Sequence, residues 1–282
     1  MNIYHEILLI ACVTASACTL PGVFLVARGI ALISDAISHS ILLGMVIAFL
    51  CVHSINSWWI FIGALISGML TVGLTEFLSH AKYIKKDAAV GLVFPLFFSI
   101  AVILINLYAS SIHLDTDAVL LGDLVFTPFH RFIIQGLDYG PITLWSMSAI
   151  LGINIIGITL FYKELMVSIF DPDYAHSISY RPNFFHYALM LITSITIIGA
   201  FDTVGSVLVI SFIIVPAATA HLLSYNLAYI LLHALGISIS TAIAGYILAQ
   251  YTQGSITGAI TLVQGIVFFS ILGILNYRKK PS

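Results

Sequence analysis

The chain has 282 residues, of which 60% are apolar and only 8% are charged, and its formal net charge is −2. Soluble domains carry roughly 25% charged residues, which excludes a soluble protein of this length. The mean hydropathy of +1.10 indicates many membrane spans rather than a single anchor. The chain lacks the excess of basic residues that is typical of proteins that bind nucleic acids. We therefore predict an all-α integral membrane protein whose residues 1–282 form a single transmembrane domain.

Nine apolar stretches follow one another along the chain, and most are near the roughly 20 residues that a spanning helix needs. The sixth and seventh are short, and only three residues separate them. One of these two is expected to be broken or re-entrant, as helices often are in transporters. We predict a bundle of about eight or nine transmembrane helices. The stretches cover residues 7–27, 30–52, 58–79, 88–109, 142–162, 184–201, 205–223, 226–250 and 257–276.

The basic residues indicate the orientation, because cytoplasmic loops of membrane proteins are enriched in Lys and Arg. With nine spans, nine of the ten basic residues fall on one side of the membrane, and only Arg131 falls on the other. We therefore expect the N-terminus outside and the C-terminus in the cytoplasm.

Two longer segments separate the spans. The outer one, residues 110–141, contains four aspartates: Asp115, Asp117, Asp123 and Asp138. The inner one, residues 163–183, is too apolar for a solvated loop and predicts one or two short helices with an exposed apolar face. Composition supports two interpretations of that face equally: it binds a protein partner, or it lies on the bilayer surface.

Asp35 and His39 are the most informative ionisable residues, because such groups are costly inside a span and indicate functional sites. They are four residues apart and so share one face of a helix. A carboxylate oxygen and an imidazole nitrogen one turn apart can bind Mn²⁺, Fe²⁺ or Zn²⁺. Two ligands do not fill a coordination shell, but a pore between two such subunits would bring four together. The alternative is an Asp–His hydrogen bond that only links two helices.

Asp202 lies at the interrupted stretch near the outer side. It could line the transport pathway, or it could cap a helix N-terminus. Glu76 and His80 are four residues apart at the cytoplasmic end. A salt-bridge network with the nearby Lys82, Lys85 and Lys86 is sufficient to explain their presence there.

Enzyme signatures such as G-x-S-x-G, H-E-x-x-H or a glycine-rich phosphate loop do not occur in the chain. We therefore predict a transport subunit rather than an enzyme. Without a nucleotide site, any pumping must draw energy from a partner chain or from an ion gradient. The three cysteines show no metal-ligand spacing and are interpreted as small core residues.

Four sequence blocks resemble, in order, the permease subunits of metal-ion ABC importers, the zinc, manganese and iron permeases that work with a metal-binding receptor. The blocks are RGIALISDAISH at 28–39, KKDAAVG at 85–91, DTDAVLLGD at 115–123, and FDTVG at 201–205 followed by IVPAATA at 214–220. The resemblance covers essentially the whole chain, and the first and last blocks are specific together. One departure lies at 250–255, which reads QYTQGS where family members often carry an acid.

This resemblance implies that Asp35 and His39 are metal ligands of the pathway, with Asp35 as the anionic anchor. It also implies that residues 164–178 form the coupling helix, which docks into a cleft of a separate ATPase subunit. The contacts expected there involve Glu164, Leu165, Ser168, Phe170 and Asp171.

The same resemblance implies ATP-driven alternating access in a bacterial cytoplasmic (inner) membrane. The pore would be a dimer of permeases surrounded by lipid, built from two identical chains or from two related ones. The exposed acids of 110–141 would face an extracytoplasmic metal-binding protein. No cofactor is expected to be bound permanently, since the divalent metal is the transported substrate.

Two other classes remain open at this point. One is a proton-driven secondary metal transporter in which Asp35 and His39 form a proton relay. The other is a permease for a chelated metal or a vitamin, which shares the architecture but needs a wide pore with few ligands. The Asp–His pair argues against the latter. The sequence leaves the metal itself open, because selectivity rests on geometry and on the receptor.

Overall fold

The structure is a computed structural model that describes residues 3–53, 58–80, 84–108, 124–125, 127–129, 131–134, 137–178 and 180–278. Within these ranges, the chain forms ten α-helices and one short antiparallel pair of strands, β1 (Arg131–Ile134) and β2 (Leu137–Pro141). The helices are α1 (Ile3–Ala27), α2 (Leu32–Val52), α3 (Trp58–Ser79), α4 (Lys86–Tyr108), α5 (Ile142–Leu160), α6 (Tyr162–Phe170), α7 (Pro172–Ser177), α8 (Pro182–Leu223), α9 (Leu227–Thr252) and α10 (Ile256–Arg278).

Eight of these helices are long and apolar enough to cross a membrane, and only α6 and α7 are too short. A helix satisfies its backbone hydrogen bonds internally, which is why apolar stretches of this length become helices in a bilayer. The predicted all-α membrane bundle of about eight or nine helices is confirmed. The β-hairpin, which lies within the outer segment, was not predicted.

Helix α8 accounts for two of the nine predicted stretches. It has 42 residues and is interrupted at Gly205, whose φ of 76° and ψ of 165° are not helical. Glycine adopts this conformation readily because it lacks a Cβ atom. A straight helix of this length would extend about 63 Å, about twice the apolar thickness of a bilayer. The break therefore lies at the junction of the two stretches, at Gly205, and not within either of them as predicted.

Contacts with α1 show that α8 reverses direction at this interruption. His186, near the start of α8, contacts Arg28, and the His221 ring, near its end, lies 3.3 Å from the carbonyl oxygen of Val23. Both ends of α8 thus meet the same end of α1. The two halves of α8, residues 182–204 and 206–223, are antiparallel, which reconciles eight helices with nine apolar stretches. We call the end of the bundle that carries Arg28 the inner end.

The centre of the bundle is formed by α1 and α8, which are the most buried of the eight long helices. Buried hydrogen bonds join them to their neighbours. Asn154 of α5 donates to the carbonyl oxygen of Ala17 at 2.9 Å, and the Thr19 hydroxyl lies 2.8 Å from Ser238 of α9. Such bonds are favourable in a bilayer because no water is available to replace them.

Gly22 of α1 is expected to be essential for this packing. A Cβ atom at Gly22 would lie 2.1 Å from the carbonyl oxygen of Ile213 in the second half of α8, so Gly22→Ala must push the two backbones apart. We expect it to destabilise the protein by about 1–3 kcal/mol, the usual cost of overpacking. Thermal unfolding in detergent measures this change. Gly152→Ala is the matched control, since the space around Gly152 is open, and an equal loss in both variants would contradict the prediction.

Candidate functional site

The first two turns of α2 present Asp35 and His39 on one accessible face. Asp35 Oδ1 lies 3.3 Å from His39 Nε2, and the two side chains are 34% and 27% exposed. Between Ile33 and Ser40, these two residues alone are not buried. The predicted sharing of a helix face is therefore observed, and the face is open to whatever lies against α2 in the membrane.

Helix α4 holds the imidazole of His39 in place. The ring centroid of Phe94 lies 5.7 Å from that of His39, and the ring of Phe98 meets it edge-on at 6.1 Å. Two aromatic neighbours restrict rotation of the imidazole and reduce its contact with water. The hydroxyls of the neighbouring Ser34 and Ser38 donate to the carbonyl oxygens of Ala31 and Ser34, so they are not hydrogen-bonded to the pair.

This pair supplies one oxygen and one nitrogen donor, and nothing in the described part of the chain adds a third. Those residues contain no group of three or more His, Cys, Asp or Glu side chains that could hold a metal ion. Further protein ligands would have to come from another chain. The alternative of a bond that links two helices does not apply, because both residues belong to α2.

Asp202 lies in the last turn before the interruption at Gly205 and is exposed on the surface of the single chain. Thr196 contacts Asn154 at the level of Ala17 in α1. Asp202 follows Thr196 by six residues, which is about 9 Å of helix. This places the carboxylate in the outer half of the bundle, whereas Asp35 lies near the inner end. Asp202 ends the first half of α8 rather than beginning the second, so it does not occupy the predicted N-cap.

At the inner end, Glu76 is paired differently from the expected lysine network. Its Oε2 atom lies 3.6 Å from Nε2 of His186, at the start of α8, and His186 in turn contacts Arg28. His80 instead bonds the carbonyl oxygen of Glu76 at 2.8 Å. Burial lowers the pKa of the Arg28 guanidinium, and the charge of Glu76 opposes that change. Lys82 lies outside the described residues.

No sequence pattern identifies His186 as a functional residue. It is separated from Arg28 by 158 positions and from Glu76 by 110, and no local motif surrounds it. Only the fold shows that the three residues meet.

At the outer end, Arg131 of β1 joins the hairpin to α1. Its Nη2 atom lies 3.0 Å from Oε2 of the buried Glu6, and its Nη1 atom lies 2.5 Å from Oδ2 of Asp138. The backbone N–H of Gly140 and the Arg131 guanidinium both lower the pKa of Asp138. Of the four acids expected to face a receptor, Asp138 is thus engaged within the chain. The other three, Asp115, Asp117 and Asp123, lie outside the described residues.

Helices α6 and α7 form the short pair predicted for the inner segment. Four large apolar side chains spaced four residues apart are exposed along them, and we call them the apolar stripe: Met166 (36%), Phe170 (58%), Tyr174 (55%) and Ile178 (39%). An accessible apolar face of this kind is typical of an interaction surface. The stripe runs past the break at Asp171, where the chain changes from α6 to α7.

The five residues predicted to contact an ATPase divide into two groups. Phe170 and Asp171 are exposed and Glu164 is half-buried, whereas Leu165 and Ser168 are only 6% and 1% exposed. Leu165 and Ser168 face the bundle because their three-residue spacing places them on the side of α6 that packs on α8. They can therefore support the surface but not touch a partner. Asp171 also caps α7 by accepting the N–H of Tyr174 at 2.9 Å.

A bundle of eight apolar helices, one of them reversed within the membrane, with an accessible Asp–His pair inside a span, defines a multi-pass membrane transport protein. The sequence matches the ABC 3 transport family over residues 1–274, and the chain belongs to that family. It is thus the permease component of an ABC transporter, and the resemblance drawn from the four sequence blocks is confirmed.

Similar proteins agree with this assignment. The manganese transport system membrane protein MntD of Bacillus subtilis is 39% identical over 90% of this chain and 86% of that protein. The zinc transport system membrane protein TroD of Treponema pallidum is 45% identical over 93% of this chain and 71% of that protein. Among solved structures, PsaBC from Streptococcus pneumoniae in complex with Fab matches with a TM-score of 0.78 at 24% identity, over 96% of this chain and 91% of that one. At this sequence identity, the similarity to PsaBC concerns the fold alone.

Proposed function

We propose that this chain is the permease subunit of an ATP-driven importer of divalent transition-metal ions, namely Mn²⁺, Fe²⁺ or Zn²⁺. The observation that carries the proposal is the accessible Asp35–His39 pair in a chain of this family. Oxygen and nitrogen donors together suit these ions. The names of the manganese and zinc relatives support Mn²⁺ and Zn²⁺. The transporter would lie in the cytoplasmic (inner) membrane of a bacterium and would hold no resident cofactor.

The coordination shell would be completed by a second permease. One chain offers two protein ligands in its described part, and both lie on an accessible face of α2. A second copy, or a related chain, placed against that face would contribute two more. Four ligands of mixed oxygen and nitrogen character form an adequate site for a first-row divalent ion. An extracytoplasmic metal-binding protein would deliver the ion to this site from the outer end.

The energy would come from a separate ATPase chain, since the permease carries no phosphate-binding motif. The apolar stripe of α6 and α7 is the surface best suited to receive it. Both helices pack on α8, which is also in contact with α2. Movement of the stripe could thereby reach the metal pair. Exposed apolar side chains of α3 and α4, such as Ile66, Leu70, Leu92 and Leu96, would face lipid or the second permease.

Reconstitution with the cognate ATPase and metal-binding protein in proteoliposomes tests the proposal. We expect uptake of Mn²⁺, Fe²⁺ or Zn²⁺ that requires ATP and that stops when the ATPase is inactivated. Competition among the three ions then identifies the substrate. Uptake that continues without the ATPase but collapses with the proton gradient would instead support the secondary transporter. Uptake of a chelated metal or vitamin, but not of free ions, would support the third class.

A further inference from the structure

Arg28, His186 and Glu76 form a chain of polar contacts at the inner end, which we call the inner bridge. Arg28 lies in the turn between α1 and α2, His186 in the second turn of α8, and Glu76 in the last turn of α3. The Arg28 Nη1 atom contacts Nδ1 of His186, and Nε2 of His186 lies 3.6 Å from Oε2 of Glu76. The side chains of His186 and Glu76 are only 15% and 30% exposed.

The chemistry of the three groups determines which nitrogen of His186 accepts a hydrogen bond and which one carries the hydrogen. A guanidinium has only donors, so Nδ1 of His186 must accept, and in the neutral ring the N–H is then at Nε2. That nitrogen lies 3.6 Å from Oε2 of Glu76, which is close enough for electrostatic attraction but too long for a hydrogen bond, and this oxygen has no hydrogen-bond partner within the described ranges. His186 therefore connects a cation to an anion through its two nitrogens. Since neither nitrogen keeps a free lone pair, the inner bridge is not a metal site.

The inner bridge lies between the two functional surfaces of the chain. His186 follows Ile178, the last member of the apolar stripe, by eight residues. Arg28 precedes Asp35 by seven residues, across the turn that begins α2. Glu76 belongs to α3, which packs closely on α2. A displacement of the start of α8 would therefore act on the start of α2 and on the end of α3 through these polar contacts.

We infer that Arg28, His186 and Glu76 are positioning residues that transmit movement of the apolar stripe to the Asp35–His39 pair. The inference rests on the proposed function. None of the three residues touches the metal. They hold the start of α8 against the turn before α2 and against the end of α3. Loss of the inner bridge leaves ATP hydrolysis in place but disconnects it from the geometry of the metal pair.

Two variants of His186 separate this role from simple packing. In His186→Leu the side chain has no polar atom that could contact Arg28 or Glu76. In His186→Gln the amide oxygen and nitrogen can contact both. In proteoliposomes containing the complete complex, we expect His186→Leu to lower the number of Mn²⁺ ions imported per ATP hydrolysed by about tenfold, within the usual range of coupling between sites. His186→Gln is expected to stay within about twofold of the wild type.

His233→Leu is the matched control, because His233 is exposed on α9 and its ring bonds the carbonyl oxygen of Tyr229, in its own helix, at 2.6 Å. Glu76→Gln serves as a second variant, which removes the charge at constant shape and should also lower the transport ratio. If the wild type shows ATP-dependent uptake and His186→Leu imports as many ions per ATP hydrolysed, the inference is overturned and the proposed function stands. Loss of assembly in both His186 variants would show a structural role and would also overturn the inference. A wild type without ATP-dependent uptake would overturn the proposed function as well.

Discussion

Asp35→Asn and His39→Ala are each expected to abolish metal uptake while the chain still inserts into the membrane and binds its ATPase. Asn keeps the shape of Asp but loses the negative charge that anchors a cation, and Ala removes the only nitrogen donor on this face of α2. Even residues that merely orient metal ligands cost about 10–100-fold in affinity when lost. Loss of a ligand itself should therefore reduce uptake by more than about tenfold. Radiotracer uptake at low metal concentration measures the effect.

The size of the effect distinguishes a ligand from a structural contact. A pair of charged residues one turn apart stabilises a helix by only about 0.3–0.5 kcal/mol when exposed. If the Asp–His contact were structural, either variant would change the melting temperature slightly and leave uptake near normal. His233→Ala is the matched control, since His233 is exposed and lies on α9 rather than on α2 or on the helix that packs against His39. Near-normal uptake in both Asp35→Asn and His39→Ala would contradict the assignment of metal ligands.

Much of the membrane architecture could be predicted from the sequence because the bilayer restricts what an apolar stretch can become. Continuous apolar runs of about 20 residues had to form helices, and the three residues between two short runs left no room for a loop. What hydropathy could not provide was the geometry at Gly205. The reversal of α8 depends on one glycine with a positive φ, and the contacts of His186 and His221 with α1 establish it.

The candidate site was predictable where it is local and unpredictable where it is not. Asp35 and His39 lie on one helix turn, so their spacing alone placed them together. Glu76 looked like a partner of neighbouring lysines, but within the described residues it pairs with His186, from a helix that begins more than a hundred residues later. On α6, the resemblance marked Leu165 and Ser168 as contacts, whereas packing on α8 buries both. Such tertiary contacts are not encoded in any short segment.

Phe170→Glu is expected to detach the ATPase from the permease and to abolish ATP-driven uptake. Phe170 is the most exposed member of the apolar stripe, at 58%, with Met166 and Tyr174 on either side. Burying a phenylalanine side chain in an interface contributes about 1.5–3 kcal/mol, and a buried unpaired carboxylate adds a further cost. The sum exceeds the roughly 2 kcal/mol that defines an interface hot spot. Co-purification of the two subunits in detergent, followed by uptake in proteoliposomes, measures the loss.

The same substitution at Tyr225 is the control for an added charge at the inner end. Tyr225 is fully exposed in the turn between α8 and α9, away from the apolar stripe, so Tyr225→Glu should leave association and uptake intact. Leu165→Glu should instead impair folding, because that side chain is buried against the bundle. If α6 and α7 merely rest on the bilayer surface, Phe170→Glu would lower their affinity for lipid and leave the ATPase bound. Normal co-purification with normal uptake in Phe170→Glu would therefore assign the apolar stripe to the membrane and remove it from the coupling pathway.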